Sequence, residues 1–129
     1  MKPNDSIERS HHKLKAWQES MALVQDIYTI SVDFPKDEKF CLTSQIRRAA
    51  ISVPSNIAEG AARVTDKDFL NFLSISRGSL SELETQILLA KNLGYVSDID
   101  QILQKINNAF KLISGLMKSL RKDKIHEYA

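Results

Sequence analysis

Cysteine is almost absent from this chain of 129 residues: Cys41 stands alone, which excludes an intrachain disulfide and a site built from several thiolates. Glycine and proline are scarce, at 4 and 3, and aromatic residues make up only 7%, so the many turns and short strands of a sandwich or barrel lack their punctuation. No apolar run approaches the ~20 residues of a membrane span, and the opening MKPNDSIERSHHK has no apolar signal segment. The expectation is a cytoplasmic protein without a membrane partner. Neither sign of charge dominates, with 18 Lys+Arg against 16 Asp+Glu. What is present, 43% hydrophobic and 26% charged residues, is the profile of one helical globular domain.

Apolar spacing divides the chain into a flexible tail over 1–13, a four-helix bundle over 14–122 and a C-terminal tail over 123–129. Helix one, from Leu14 to about Asp33, carries a stripe through Leu14, Trp17, Met21, Val24 and Tyr28, widened by Ala16, Leu23, Ile27 and Ile30. Phe34-Pro35 ends it. Helix two begins near Leu42–Ser44 and buries Ile46, Ala49, Ala50, Val53 and Ile57; Pro54 inside it predicts a kink, because the ring removes an amide donor and crowds the Ala50 carbonyl. Gly60 weakens its end. Helix three opens on a cap at Thr65 with Asp68 three residues on. Its core positions, Phe69, Leu73, Ser76, Leu80, Leu83, Ile87 and Ala90, alternate by four and three as in a bundle seam. Gly94 stops it, Ser97–Asp100 caps the next, and helix four buries Ile102, Ile106, Ala109, Phe110, Ile113, Leu116, Met117 and Leu120 on its way to about Lys122. Short connections make neighbours antiparallel, so the fold class is an all-α, up-down antiparallel four-helix bundle.

Catalytic devices are missing from this pattern. A di-metal bundle needs two E-x-x-H motifs, and only Glu8–His11 has that spacing. His12 and His126 are expected outside the helices, so no metal or cofactor is expected and the protein reads as a non-enzyme. Cys41, between Phe40 and Leu42, reads as a small buried packing residue rather than a nucleophile.

Two helix faces break the simple bundle pattern. Arg48, Ser52, Asn56 and Glu59 share an arc of about 80°, away from the core face of helix two. Across helix three from its core lie Asn71, Ile75, Gly78 and Glu82. A mid-helix glycine costs ~1 kcal/mol relative to alanine, and close approach of another backbone is the usual reason for one. Both faces read either as solvated surface or as an interface between copies, with Glu59 and Glu82 pairing with Arg48, Arg63 or Arg77. On helix four, Lys111, Lys118 and Lys122 lie within about 40° of one another, flanked by Arg121 and Lys124. That row is either an ordinary solvated face near a C-terminal dipole or a surface for phosphates.

The stretch Gln45-Ile-Arg-Arg-Ala-Ala-Ile-Ser-Val-Pro-Ser-Asn-Ile-Ala-Glu-Gly60, followed by Ser76-Arg-Gly-Ser-Leu-Ser-Glu-Leu-Glu84 and Leu93-Gly94-Tyr95, resembles the bacterial four-helix bundle proteins encoded in 23S rRNA intervening sequences. The opening Leu14–Gln18 and Phe34-Pro35 agree, and Ser76 departs from the alanine expected there. The resemblance implies a pentameric ring. It also implies kinship with accessory proteins of diversity-generating retroelements, which bind a reverse transcriptase and RNA through basic surface. It carries no catalytic residues, and makes Pro54 and Gly78 architectural. The expected function is therefore a homo-oligomeric accessory to nucleic acid or ribonucleoprotein. Arg47, Arg63, Lys111, Lys118, Arg121, Lys122 and Lys124 are its candidate phosphate contacts, acting by counterion release. The competing reading is a protein-interaction scaffold with no nucleic-acid role.

Overall fold

The structure is a computed structural model that describes the backbone of residues 8–128 and the side chains of 8–121. A 3-10 turn, Ser10–Lys13, precedes four helices: α1 (Lys15–Ser31), α2 (Leu42–Ala61), α3 (Asp66–Asn92) and α4 (Asp100–Tyr128). Each helix packs on its neighbours in sequence, α1 also packs on α4, and the diagonal pairs α1–α3 and α2–α4 do not approach each other. This closed circuit is the up-down bundle that the apolar spacing predicts.

The seam of α3 is the one written in the sequence. Leu73, Ser76, Leu80, Leu83, Ile87 and Ala90 are all buried, because steps of four and three keep one face turned inward along a helix. Opposite them, α2 buries Ile46, Ala49, Ala50, Val53 and Ile57, and α4 buries Ile102, Ile106, Ala109, Ile113 and Met117. Pro54 is also buried, and α2 runs through it as one element. Beside that proline, the buried Ser76 hydroxyl donates to the Val53 carbonyl at 2.8 Å. A buried donor without a partner would cost about 1–3 kcal/mol, so the side chain that departs from alanine brings its own acceptor.

Helix ends follow their local chemistry. Thr65 Oγ1 accepts the Asp68 amide at 3.2 Å, as expected for the N-cap of α3. Gly94, at φ +81°, lets the chain turn back, so that the Tyr95 amide reaches the Ala90 carbonyl at 2.9 Å and the Gly94 amide reaches Lys91 at 3.0 Å. Those two bonds are a Schellman ending. It delivers the Tyr95 ring to 5.7 Å from that of Phe34, which clasps the α3–α4 connection to the α1–α2 connection. Burial, then the nearby Glu38 carboxylate, pushes the Tyr95 phenol pKa up.

Several expectations need correction. In α1 the buried positions are Ala16, Ser20, Leu23, Ile27 and Ser31, whereas Met21 and Tyr28 are exposed; the seam is rotated from the Trp17–Met21–Val24–Tyr28 stripe. Ser20 and Ser31 tolerate burial because each hydroxyl donates to the carbonyl four residues back, at 2.6 and 2.7 Å, and their small size lets the helices close. Cys41 is exposed, not buried, since it occupies the N-cap of α2 and Leu42 makes the apolar contact in its place. Gly60 does not merely weaken α2; it is buried where α2 meets α3. The backbone of α4 passes Lys122 and takes in His126, because no glycine or proline stops it. Residues 10–13 of the expected N-terminal tail form the 3-10 turn, while residues 1–7 and 129 lie outside the described residues.

Candidate nucleic-acid interface

The expected phosphate contacts fall into three places. Lys111, Lys118 and Arg121 are exposed on the outer side of α4 and make no ion pair among the described residues. The side chains of Lys122 and Lys124 lie outside the described residues. Arg63, near the α2–α3 turn, pairs with Glu59 at 3.0 Å and lies 4.8 Å from the Phe72 ring centroid. Arg47 belongs to a groove between α1 and α2. Because α2 and α4 are diagonal in the bundle, these cations do not form one patch.

Residues assigned to a second polar face of α2 also divide. Ser52 and Asn56 are half-buried in a network inside the chain: Asn56 Nδ2 donates to the Ser52 carbonyl at 2.8 Å and to its hydroxyl at 2.9 Å, and the Ser52 and Ser79 hydroxyls share a 2.8 Å bond. Arg48 and Glu59 stay exposed. On α3, Ile75, Gly78 and Glu82 point outward, and a Cβ placed on Gly78 would meet nothing within 4 Å. Nothing among the described residues therefore demands a glycine there. The same outer stripe, continued at helical spacing, takes in Leu89 and Leu93; Ile75, Leu89 and Leu93 are 51%, 47% and 56% exposed.

The groove that holds Arg47 is a feature that helical periodicity did not reveal. It is an open depression of about 710 Å³ between Tyr28 of α1, Phe40 of the connection, and Arg47, Arg48 and Ile51 of α2. The Arg47 guanidinium lies 4.5 Å from the Tyr28 centroid while its Nε donates to Ser31 Oγ at 2.8 Å. The Lys39 ammonium lies 5.3 Å from the Phe40 centroid. Farther along the same seam a second depression of about 420 Å³ is lined by Trp17, Met21 and Pro54, and shares Ile51 and Ser55 with the first. The 3-10 turn closes its end, where the His11 and His12 rings stand 5.1 and 5.2 Å from Trp17. Burial, then the neighbouring His12 and Arg9 charges, lowers the His11 pKa. The available signal in the sequence was the excess width of the helix-one stripe, which has more apolar residues than one core face can bury.

No three potential metal ligands cluster among the described residues, and Glu8 and His11 find no partner of that kind there. No helix among the described residues is long and apolar enough to cross a membrane.

The fold is an all-α, up-down four-helix bundle with an aromatic and basic seam between α1 and α2 and an apolar stripe on the outside of α3. A family model for the 23S rRNA-intervening sequence protein matches residues 12–115, and the chain belongs to that family. No curated protein matches it.

Proposed function

We propose that the protein is a non-enzymatic, self-associating accessory in the cytoplasm that binds RNA or a ribonucleoprotein through basic surface. The observation that carries this reading is the row Lys111, Lys118 and Arg121, exposed and unpaired among the described residues, on a chain whose family is named for an rRNA intervening sequence. Three cations with no carboxylate to neutralise them favour phosphate by releasing its counterions, without reading bases. Raising salt from 50 to 200 mM is expected to weaken binding of a folded RNA by roughly 20- to 40-fold, the effect of three phosphate contacts. The triple variant K111E/K118E/R121E should remove that salt dependence and leave the helical circular dichroism unchanged. Absence of binding at 50 mM salt, or indifference to the triple variant in a filter-binding assay, refutes the reading.

Self-association is assigned to the outer stripe of α3. Isolated exposed aliphatic residues are ordinary, but Ile75, Leu89 and Leu93 share one face with a glycine that no intrachain contact requires, and such a face is suited to another protein surface. A ring of five copies, as the resemblance implies, would repeat the α4 cations around one axis and add their contacts on a single RNA. Sedimentation velocity should show an assembly that Ile75→Glu converts to folded monomer. A wild-type monomer at micromolar concentration defeats this assignment. The same stripe also favours a second reading, a scaffold for a different protein; a partner retained after nuclease treatment and lost in Ile75→Glu would select it.

A further inference from the structure

We propose that the groove between α1 and α2 is a stacking site for single-stranded RNA, with Phe40 as the platform for a base and Lys39, Arg47 and Arg48 as contacts to the flanking phosphates. This site rests on the RNA-binding reading and is separate from the α4 row, because its cations lie on α2 and the connection before it, and α2 is diagonal to α4.

Phe40 is 84% exposed, in a connection that the core holds through Phe34 and Leu42 instead. The bundle gains nothing by keeping that ring in water. Nor is it a scattered apolar residue, since Tyr28 and Ile51 are exposed in the same groove. Each ring carries a cation on it, Lys39 on Phe40 and Arg47 on Tyr28. Alternating π-faces and positive charges are what a single strand needs, because every base has a face to stack and every link has a phosphate to neutralise.

The groove's charge is of one sign. Its lining has three cations and no carboxylate, and none of those cations has an ion-pair partner among the described residues. The nearby acids of the connection, Asp37 and Glu38, are not part of that lining and bear instead on the Tyr95 phenol. The groove is an open depression of about 710 Å³, so a base can reach the Phe40 ring directly from solvent. Two lining hydroxyls, Thr43 and Ser55, are not engaged in the hydrogen bonds that hold Ser44 and Ser52, and a hydroxyl can pair with a ribose 2′-OH, the group that distinguishes RNA from DNA. The seam then continues past Ile51 and Ser55 into the second depression, a path for a strand running along α2.

The test uses the full chain and a fluorescein-labelled, mixed-sequence RNA strand of about 12 nucleotides, within the usual span of single-strand sites, beside the same RNA as a duplex and the same sequence as single-stranded DNA. Phe40→Ala should weaken the RNA strand at least about fivefold, the effect of losing one stacked base, with its salt slope and the duplex affinity unchanged. Phe40→Trp should restore binding. Arg48→Ala should lower the salt slope by about 0.7, the share of one phosphate on a single strand. Phe40 is too exposed for its loss to unfold the bundle, and circular dichroism checks this. The proposal is overturned if Phe40→Ala binds the RNA strand like wild type, if the DNA strand binds as tightly as RNA, or if Phe40→Ala changes the sedimentation coefficient, which would make the groove a protein contact. Continued binding of folded RNA through α4 would then leave the broader reading standing. Loss of all RNA binding at 50 mM salt would remove both.

Discussion

Leu23→Ala is expected to lower the unfolding free energy by about 2–5 kcal/mol, whereas Met21→Ala, two positions earlier, should cost under about 1 kcal/mol. Both side chains are large and apolar, and both lie in α1. What separates them is direction: Leu23 is 1% exposed and Met21 is 43% exposed. Truncating Leu23 removes its transfer free energy and leaves a void that close-packed neighbours fill only in part. Truncating Met21 opens an already open depression. For a domain of this size each kcal/mol moves the melting temperature by roughly 3–5 °C, so thermal denaturation followed by circular dichroism distinguishes the two. Equal losses, or a larger loss at Met21, would mean that α1 is turned about its axis from the orientation described above.

Gly60→Val should destabilise by about 3 kcal/mol or more, at the upper end for an overpacked contact. A Cβ at Gly60 would stand 2.7 Å from the Phe72 Cβ, 2.9 Å from Phe69 Cδ1 and 3.3 Å from the Phe69 carbonyl oxygen. A flexible side-chain tip can swing away, but the Phe72 Cβ and the Phe69 carbonyl are fixed to the backbone of α3, so α2 and α3 must separate. Alanine at the same position gains ~1 kcal/mol of helix propensity against the clash, and its loss should be correspondingly smaller; valine has less propensity to gain and two more methyl groups to place. The check is urea denaturation of both variants. A stabilised Gly60→Ala together with a near-neutral Gly60→Val would show that the helices are not in contact there.

The parts of this fold that were legible in the sequence are those where one periodic stripe has one possible partner. In α3, where leucine, isoleucine and alanine repeat by four and three, every buried residue was readable, and Thr65 and Gly94 marked its ends with side chains whose hydrogen-bonding and conformational preferences are strong. α1 misled because it has two apolar stripes, and the true seam contains Ser20 and Ser31. A serine reads as polar until its hydroxyl is seen to bond its own helix. Ser52 and Asn56 misled in the opposite direction: their polarity suggested an outer face, yet Ser52 bonds Ser79 of the neighbouring helix and Asn56 donates to Ser52. Gly60 and Gly78 show the same limit. Only tertiary contact distinguishes a glycine pressed against two phenylalanines from one facing open space. The α1–α2 groove was out of reach for a related reason, since Tyr28, Phe40 and Arg47 come from three segments with no common period. On α4 the exposed cations were readable as a row, because a single helix needs no partner to align them.

The Ser76 hydroxyl, lodged under Val53 beside the proline, has an effect on alignment as well as on energy. Two helices lined with interchangeable aliphatic side chains could slide past each other by a turn, about 5.4 Å, and still cover most of their apolar surface. Such a slip would strand this hydroxyl among hydrocarbons and pull Ser79 away from Ser52. Only one vertical setting of α3 against α2 satisfies both groups, and that setting also determines which rung of Ile75, Gly78 and Glu82 stands level with which turn of α2. A polar notch inside the bundle thus fixes the height at which its outer face is displayed.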